Sequence, residues 1–140
     1  MSNLPACDEC GQWPQPALAV DAVVINNGEI LLITRGREPW KGMLALPGGF
    51  VNKGEDPEIA VLRELKEETG LDGEVERLLC VRGDPQRDPR GHVVSIAYLV
   101  KATGIPQGGD DAVEAKWYDL SSVSELAGDH LSMVNTAGNK

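Results

Sequence analysis

The chain has 140 residues and a net charge of −9 at pH 7, with charged and hydrophobic fractions of 25% and 41%. That is enough chain for one domain with a buried core. No apolar run approaches the roughly 18 residues of a membrane span, and no basic segment leads into an apolar stretch at the start. The acidic balance speaks against a nucleic-acid polymer as partner, because phosphate backbones are gripped by basic surface. The expectation is a cytoplasmic protein without a membrane or nucleic-acid partner.

Residues 1–16 hold three prolines and the run Cys7-Asp-Glu-Cys10, and read as an irregular arm ahead of a single domain over 17–140. Cys7 and Cys10 form one zinc knuckle, but a closed zinc site needs four ligands and no second pair follows, so no zinc is expected. Ala17 to Ile25 alternates and is β-branched, which predicts a strand, and Asn26-Asn27-Gly28 is a hairpin signal because Asn-Gly accepts positive φ. Glu29 to Thr34 is the returning strand. Met43 to Leu46 is a short strand running into Pro47-Gly48-Gly49, whose glycines allow close backbone approach to a ligand. A helix is predicted over Asp56 to Thr69. Strands follow over Glu74 to Arg82 and Val93 to Lys101, joined by a Pro-, Asp- and Arg-rich loop, Gly83 to Gly91. Cys80 is expected to be a buried thiol. Glu114 to Tyr118 is a last strand, with a short helix near Ser121 or Ser122 and another after Asp129. This is an α/β layout with one helix embedded in a series of strands.

The chemistry is concentrated in that embedded helix. Asp56 is a natural N-cap, Pro57 suits the first helical position and Gly70 is a natural stop. Glu64 and Glu68 fall one turn apart on one face with Glu67 beside them, while Ile59, Val61, Leu62 and Leu65 are expected to face the core. Carboxylates this close repel. Arg63 can orient one of them, and a divalent cation would offset the rest, Mg²⁺ or Mn²⁺ by the oxygen chemistry of the ligands.

The full pattern, Gly49-x5-Glu55-x7-Arg63-Glu64-Leu65-x-Glu67-Glu68-x-Gly70-Leu71, resembles the Nudix box without a mismatch at any defining position. The resemblance implies the Nudix fold, a mixed β-sheet sandwiched between helices with a loop–helix–loop catalytic motif. It implies hydrolysis of a nucleoside diphosphate linked to a further group X. By motif position, Glu64 and Glu68 would be the main Mg²⁺ ligands, with Glu67 as ligand or base and a backbone carbonyl near Gly48 as a further ligand. Arg63 would hold a glutamate in place, Glu55 would brace the motif and Gly70 would close its helix. Glu114 is the alternative base.

Outside the box, the segments Glu38 to Gly42, Leu44 to Val51, Gly83 to His92 and Gly109 to Trp117 together resemble the ADP-ribose pyrophosphatase branch. That resemblance implies cleavage of ADP-ribose to AMP and ribose 5-phosphate. Arg87 or Arg90 would supply the cation opposite the metal, although Arg-Asp-Pro-Arg also reads as a turn with local ion pairs. Gly49 and Phe50 would border the substrate. Trp13, Trp40, Phe50 and Trp117 are the aromatic candidates for an adenine slot. The Ser-Gln-Pro-Trp-Pro-Phe-Pro motif of the NADH pyrophosphatases is absent, so NADH is the less expected substrate. Nucleoside triphosphates, oxidised nucleotides and other nucleotide sugars remain alternatives, as does a silent ADP-ribose-binding sensor, which usually has a broken box. The resemblance also admits a homodimer.

Overall fold

The computed structural model describes residues 15–109 and 112–138. Cys7, Cys10 and Trp13, and with them residues 1–14 of the N-terminal arm, lie outside the described residues. The strands are β1 (Ala17–Val23), β2 (Ile25–Asn26), β3 (Glu29–Arg35), β4 (Leu44–Ala45), β5 (Gly48–Phe50), β6 (Glu74–Arg82), β7 (Val93–Lys101) and β8 (Ala112–Asp119). The helices are α1 (Pro57–Thr69) and α2 (His130–Gly138), with a 3-10 turn at Leu120–Ser122 after the last strand.

The expected mixed sheet is present, in the order β5-β1-β7-β6, with β1 and β7 parallel and the other pairs antiparallel. A second, antiparallel sheet accompanies it, in which β3 pairs with β2, β4 and β8. The strand expected over Ala17 to Ile25 divides between them: β1 stays in the first sheet, and at Val24, whose carbonyl accepts from Leu31 N–H at 3.0 Å, the chain enters the second. The hairpin forms at Asn27 and Gly28, with φ of 51° and 80°.

Along β1 the side chains alternate, as the pleat requires. Val20 and Ala22 join the core cluster under α1, with Val61, Leu65, Tyr98 and Val100. Val23 joins the other cluster, with Ile30, Leu32, Leu46, Met133 and Val134, which α2 covers. Asp21 shares the Val23 face, so one carboxylate is carried into the interior on the α2 side.

Helix α1 has the predicted ends. The Asp56 side chain accepts from Glu58 N–H at 2.8 Å, and Gly70 is left-handed at φ 77° with its N–H on Lys66 O. Ile59 does not face the core as expected, being 63% exposed. At about 100° per residue it falls roughly 120° round the helix from Leu65, and Ala60 is buried instead. Cys80 is half-buried rather than buried, because it sits on β6 at the edge of the first sheet. Pro47-Gly48-Gly49 is not only a turn: Gly48 and Gly49 open strand β5. Among the described residues, no helix is long and apolar enough to cross a membrane.

Candidate active site

The β1–β5 ladder pairs Asp21 with Gly48, Val20 with Gly49 and Ala19 with Phe50. This lays the glycine segment between β1 and the acidic face of α1, where no side chain fits. A Cβ on Gly48 would fall 2.2 Å from Val20 O and 2.5 Å from Asp21 Oδ1; on Gly49 it would fall 2.4 Å from Glu64 Oε2. Two glycines are therefore needed for the approach of strand and helix. The approach is fixed by a hydrogen bond, since Gly48 N–H donates to Glu68 Oε1 at 2.8 Å. Glu68 is buried, at 6% exposure.

Arg63 organises the remaining carboxylates. Its Nε and Nη2 donate to the two oxygens of Glu55 at 2.7 and 3.0 Å. Nη1 donates to Glu64 Oε2 at 3.1 Å and to both oxygens of Glu67 at 3.2 Å, and Nη2 also reaches Phe50 O at 3.0 Å. The planar guanidinium suits this work because its donors form a rigid fork. The Arg63 bond holds the Glu55 carboxyl below the ordinary carboxylate range, and Glu55 Oε1 in turn accepts from Asn52 N–H at 2.9 Å, bracing the loop. Burial pushes Glu64 up, with Arg63 opposing and the Glu67 charge adding to the rise. One arginine thus serves three carboxylates, and the face remains under-neutralised.

These residues fit a hard dication. Glu64 and Glu68 flank Gly48 and Gly49 and line one cavity. Among the described residues, no three carboxylate, imidazole or thiol side chains converge as a complete metal cluster. Mg²⁺ takes one or two carboxylates plus water and substrate phosphate, and Glu64 and Glu68 are oxygen ligands of that kind.

The cavity encloses about 410 Å³. Its far wall was not foreseen as a unit. Arg87 makes a two-pronged pair with Asp129, at 2.8 and 2.6 Å, and its Nη1 donates to Ser95 Oγ and Val93 O, both at 3.1 Å. Arg90 pairs with Asp88, at 3.0 and 2.8 Å, and lies 5.1 Å above the Phe50 ring. Both arginines therefore line the cavity while engaged by carboxylates, Arg90 by Asp88 within the turn and Arg87 by Asp129 from outside the loop. Asp21 and His130 complete the wall: His130 Nδ1 accepts from Leu46 N–H at 3.0 Å, and Nε2 lies 3.5 Å from Asp21 Oδ1. Burial raises the Asp21 carboxyl, against the pull of His130 and Arg87.

Of the residues singled out from sequence, Gly48, Gly49, Phe50, Glu64, Glu68, Arg87, Arg90 and Trp40 line the cavity. Trp40, left-handed at φ 61°, lies against Gly128. Glu67 and Arg63 are outside the lining, but Arg63 pairs with both Glu67 and Glu64, and Glu64 is part of it. Glu114 is not in the lining; it is an exposed residue of β8, paired with Lys116 at 3.1 Å. Trp117 is also apart, packed on the core with its Nε1 donating to Gly104 O. Sequence reasoning missed Asp21, Asp129 and His130. A lone carboxylate inside the apolar run of β1 was the available signal for Asp21, since buried charges are rare without a role.

Comparison with known proteins agrees with this architecture. The model of the NUDIX domain family matches residues 15–136. An ADP-ribose pyrophosphatase from Methanocaldococcus jannaschii is 50% identical over 120 residues, covering 85% of this chain and 71% of that protein. An ADPR-responsive transcriptional repressor of Acinetobacter baylyi is 32% identical over 135 residues, covering 89% of this chain but 54% of that protein. Among solved structures, the NUDIX domain of Shewanella oneidensis NrtR complexed with ADP-ribose superposes with a TM-score of 0.79 at 32% identity, covering 90% of this chain and 88% of that one. With a family match over nearly its whole length and an unbroken acidic motif on α1, the chain belongs to the Nudix family and is a Nudix hydrolase.

Proposed function

We propose that this hydrolase splits ADP-ribose into AMP and ribose 5-phosphate, using Mg²⁺, with Mn²⁺ as a substitute, held by Glu64 and Glu68. The observation that carries the reading is the 50% identity to an ADP-ribose pyrophosphatase across most of this chain. The cavity supports it: carboxylates and glycines border one end, and Arg87, Arg90, Phe50 and Trp40 border the other.

When bound, the cation would neutralise the pyrophosphate oxygens and lower the pKa of a coordinated water. The chain's own residues do the rest. Glu68 stays fixed through Gly48 N–H, and Glu64 through Arg63. The Gly48 carbonyl would be the further backbone ligand. Glu67 takes the proton from the attacking water, as general base. It is the better placed of the two candidate bases, being joined through Arg63 to Glu64, whereas Glu114 is paired with Lys116 away from the cavity lining. Phe50 and Trp40 offer apolar faces to an adenine, and Arg87 and Arg90 lend positive charge to the phosphate or ribose beyond the metal. The occupant is a small nucleotide; the proposed assembly in solution is a monomer or a homodimer in the cytoplasm.

A chromatographic screen for nucleoside monophosphate products tests the reading with ADP-ribose, NADH, dNTPs including 8-oxo-dGTP, sugar nucleotides and dinucleoside polyphosphates, first with Mg²⁺ and then with Mn²⁺. ADP-ribose should give the highest kcat/KM. A clear preference for 8-oxo-dGTP or a dinucleoside polyphosphate would overturn it. The similarity to an ADPR-responsive repressor favours a second reading, ADP-ribose binding without turnover. Tight binding of ADP-ribose with no AMP released in a single-turnover assay would establish that reading instead.

A further inference from the structure

We propose that His130, the first residue of α2, is a positioning residue for the metal-binding segment, acting through Leu46. This rests on the reading of Gly48, Glu64 and Glu68 as the metal site. Besides its pairing with β1 and β3 and the Arg63 bond to Phe50 O, segment 44–50 is tied to its surroundings at four points. Leu44 O accepts from Ala127 N–H at 2.8 Å, Leu46 N–H donates to His130 Nδ1 at 3.0 Å, Pro47 O accepts from Ala22 N–H at 2.8 Å, and Gly48 N–H donates to Glu68 at 2.8 Å. Of the four, only the His130 tie uses a side chain from outside the acidic motif.

The chemistry of the imidazole fixes its role. Nδ1 accepts a backbone hydrogen bond, so the ring hydrogen is on Nε2, which faces Asp21. Neither nitrogen keeps a lone pair for substrate, which excludes proton transfer and leaves positioning. Leu46 is 2% exposed, so without His130 its N–H would be buried and unpaired, a state that native backbones avoid. The segment would move to recover a partner, and Gly48 lies two residues on. Asp21 completes the brace, since its Oδ1 lies where a Cβ on Gly48 would collide.

The test uses the full chain, three substitutions and two readouts, kcat for ADP-ribose and binding of Mn²⁺ alone by electron paramagnetic resonance. His130→Ala should lower kcat and weaken Mn²⁺ binding by about tenfold each, as loss of a residue that orients a metal ligand does. KM should change less than kcat, because Phe50, Trp40, Arg87 and Arg90, the residues assigned to the substrate, are not altered. His130→Asn should recover most of both losses, because its Oδ1 can stand where Nδ1 stood. His130→Gln, whose amide reaches toward the Nε2 position, should not. Wild-type Mn²⁺ affinity in His130→Ala, or equal losses in the Ala and Asn variants, would overturn the proposal. If His130→Ala does not fold, the contrast between Asn and Gln decides. Because Mn²⁺ binding needs no substrate, the same gradation without any turnover of ADP-ribose would sink the proposed substrate and leave this role standing.

Discussion

The two ends of the cavity are built on opposite principles. The α1 end gathers Glu55, Glu64 and Glu67 around Arg63 from one short stretch of chain, with Glu68 held by Gly48 N–H. The far end draws Asp21 from β1, Arg87, Asp88 and Arg90 from the loop before β7, Ser95 from β7, and Asp129 and His130 from the start of α2. The first is local and over-supplied with negative charge. The second is long-range, with Arg87 matched to Asp129, Arg90 to Asp88 and Asp21 facing His130. A face left short of positive charge awaits a cation, whereas a balanced network holds a shape.

The sharpest way to break the comparison is at the α1 end. Glu68→Gln should keep the fold, because its amide oxygen can still accept from Gly48 N–H, yet lower kcat by about 100-fold or more, as loss of a preorganised electrostatic contact does. Steady-state kinetics and a thermal melt measure the two effects. Excess EDTA should abolish turnover, and full activity in EDTA would refute the metal reading.

Gly49→Ala should come next, with a fall in kcat of about tenfold and a raised Mg²⁺ requirement, because the new methyl collides with the Glu64 carboxylate. A Mg²⁺ titration of activity would reveal it, and an unchanged titration curve would contradict the geometry.

The far end should instead answer in stability. Burial alone would raise the Asp129 carboxyl, but the Arg87 bond and charge outweigh it and hold it below the ordinary carboxylate value. The native state therefore favours ionised Asp129. Its contribution is present above the ordinary carboxylate range and is lost as pH falls through that range and below. Asp129→Asn should cost about 1.5–3 kcal/mol at neutral pH, the scale of a hydrogen bond to a charged group. Denaturant unfolding should show the variant and the parent converging as pH falls below the ordinary carboxylate range. A constant difference across that range would remove Asp129 as the titrating partner.

A smaller effect is expected at Arg90, which is more exposed than Arg87. Arg90→Ala should raise KM for ADP-ribose a few-fold, on the order of 1 kcal/mol. A fall in melting temperature with KM unchanged would mark Arg90 as a turn residue only. Smallest of all, replacing Cys7 and Cys10 together by Ser should leave kcat/KM within a few-fold. One zinc per chain, lost with activity in that double variant, would give the N-terminal arm a role.

The acidic motif was legible because its contacts are local. Helical periodicity aligns Glu64 with Glu68, and Asp56, Pro57 and Gly70 mark the ends of α1 before any tertiary contact exists. Ile59 was misplaced because a run of apolar residues does not say which of them falls outside the buried stripe. The split of the first predicted strand at Val24 was equally hidden, since Val23, Val24 and Ile25 are all β-branched and the corner depends on which partner each segment meets. Arg87 and Arg90 were found by type, but their carboxylate partners were not.

By itself, then, the sequence determined the reaction class, the glutamates proposed to hold the metal, the arginine that pairs with Glu64 and the glycines that let β5 lie against α1. Each of these rests on neighbours within a few turns of chain. Only the tertiary structure decided that Asp21 stands opposite Gly48, that Arg87 reaches Asp129 across 42 positions, and that His130 meets Leu46 across 84. Those meetings are set by sheet order and by where α2 docks. Both follow from long-range burial of apolar faces, which no local pattern encodes.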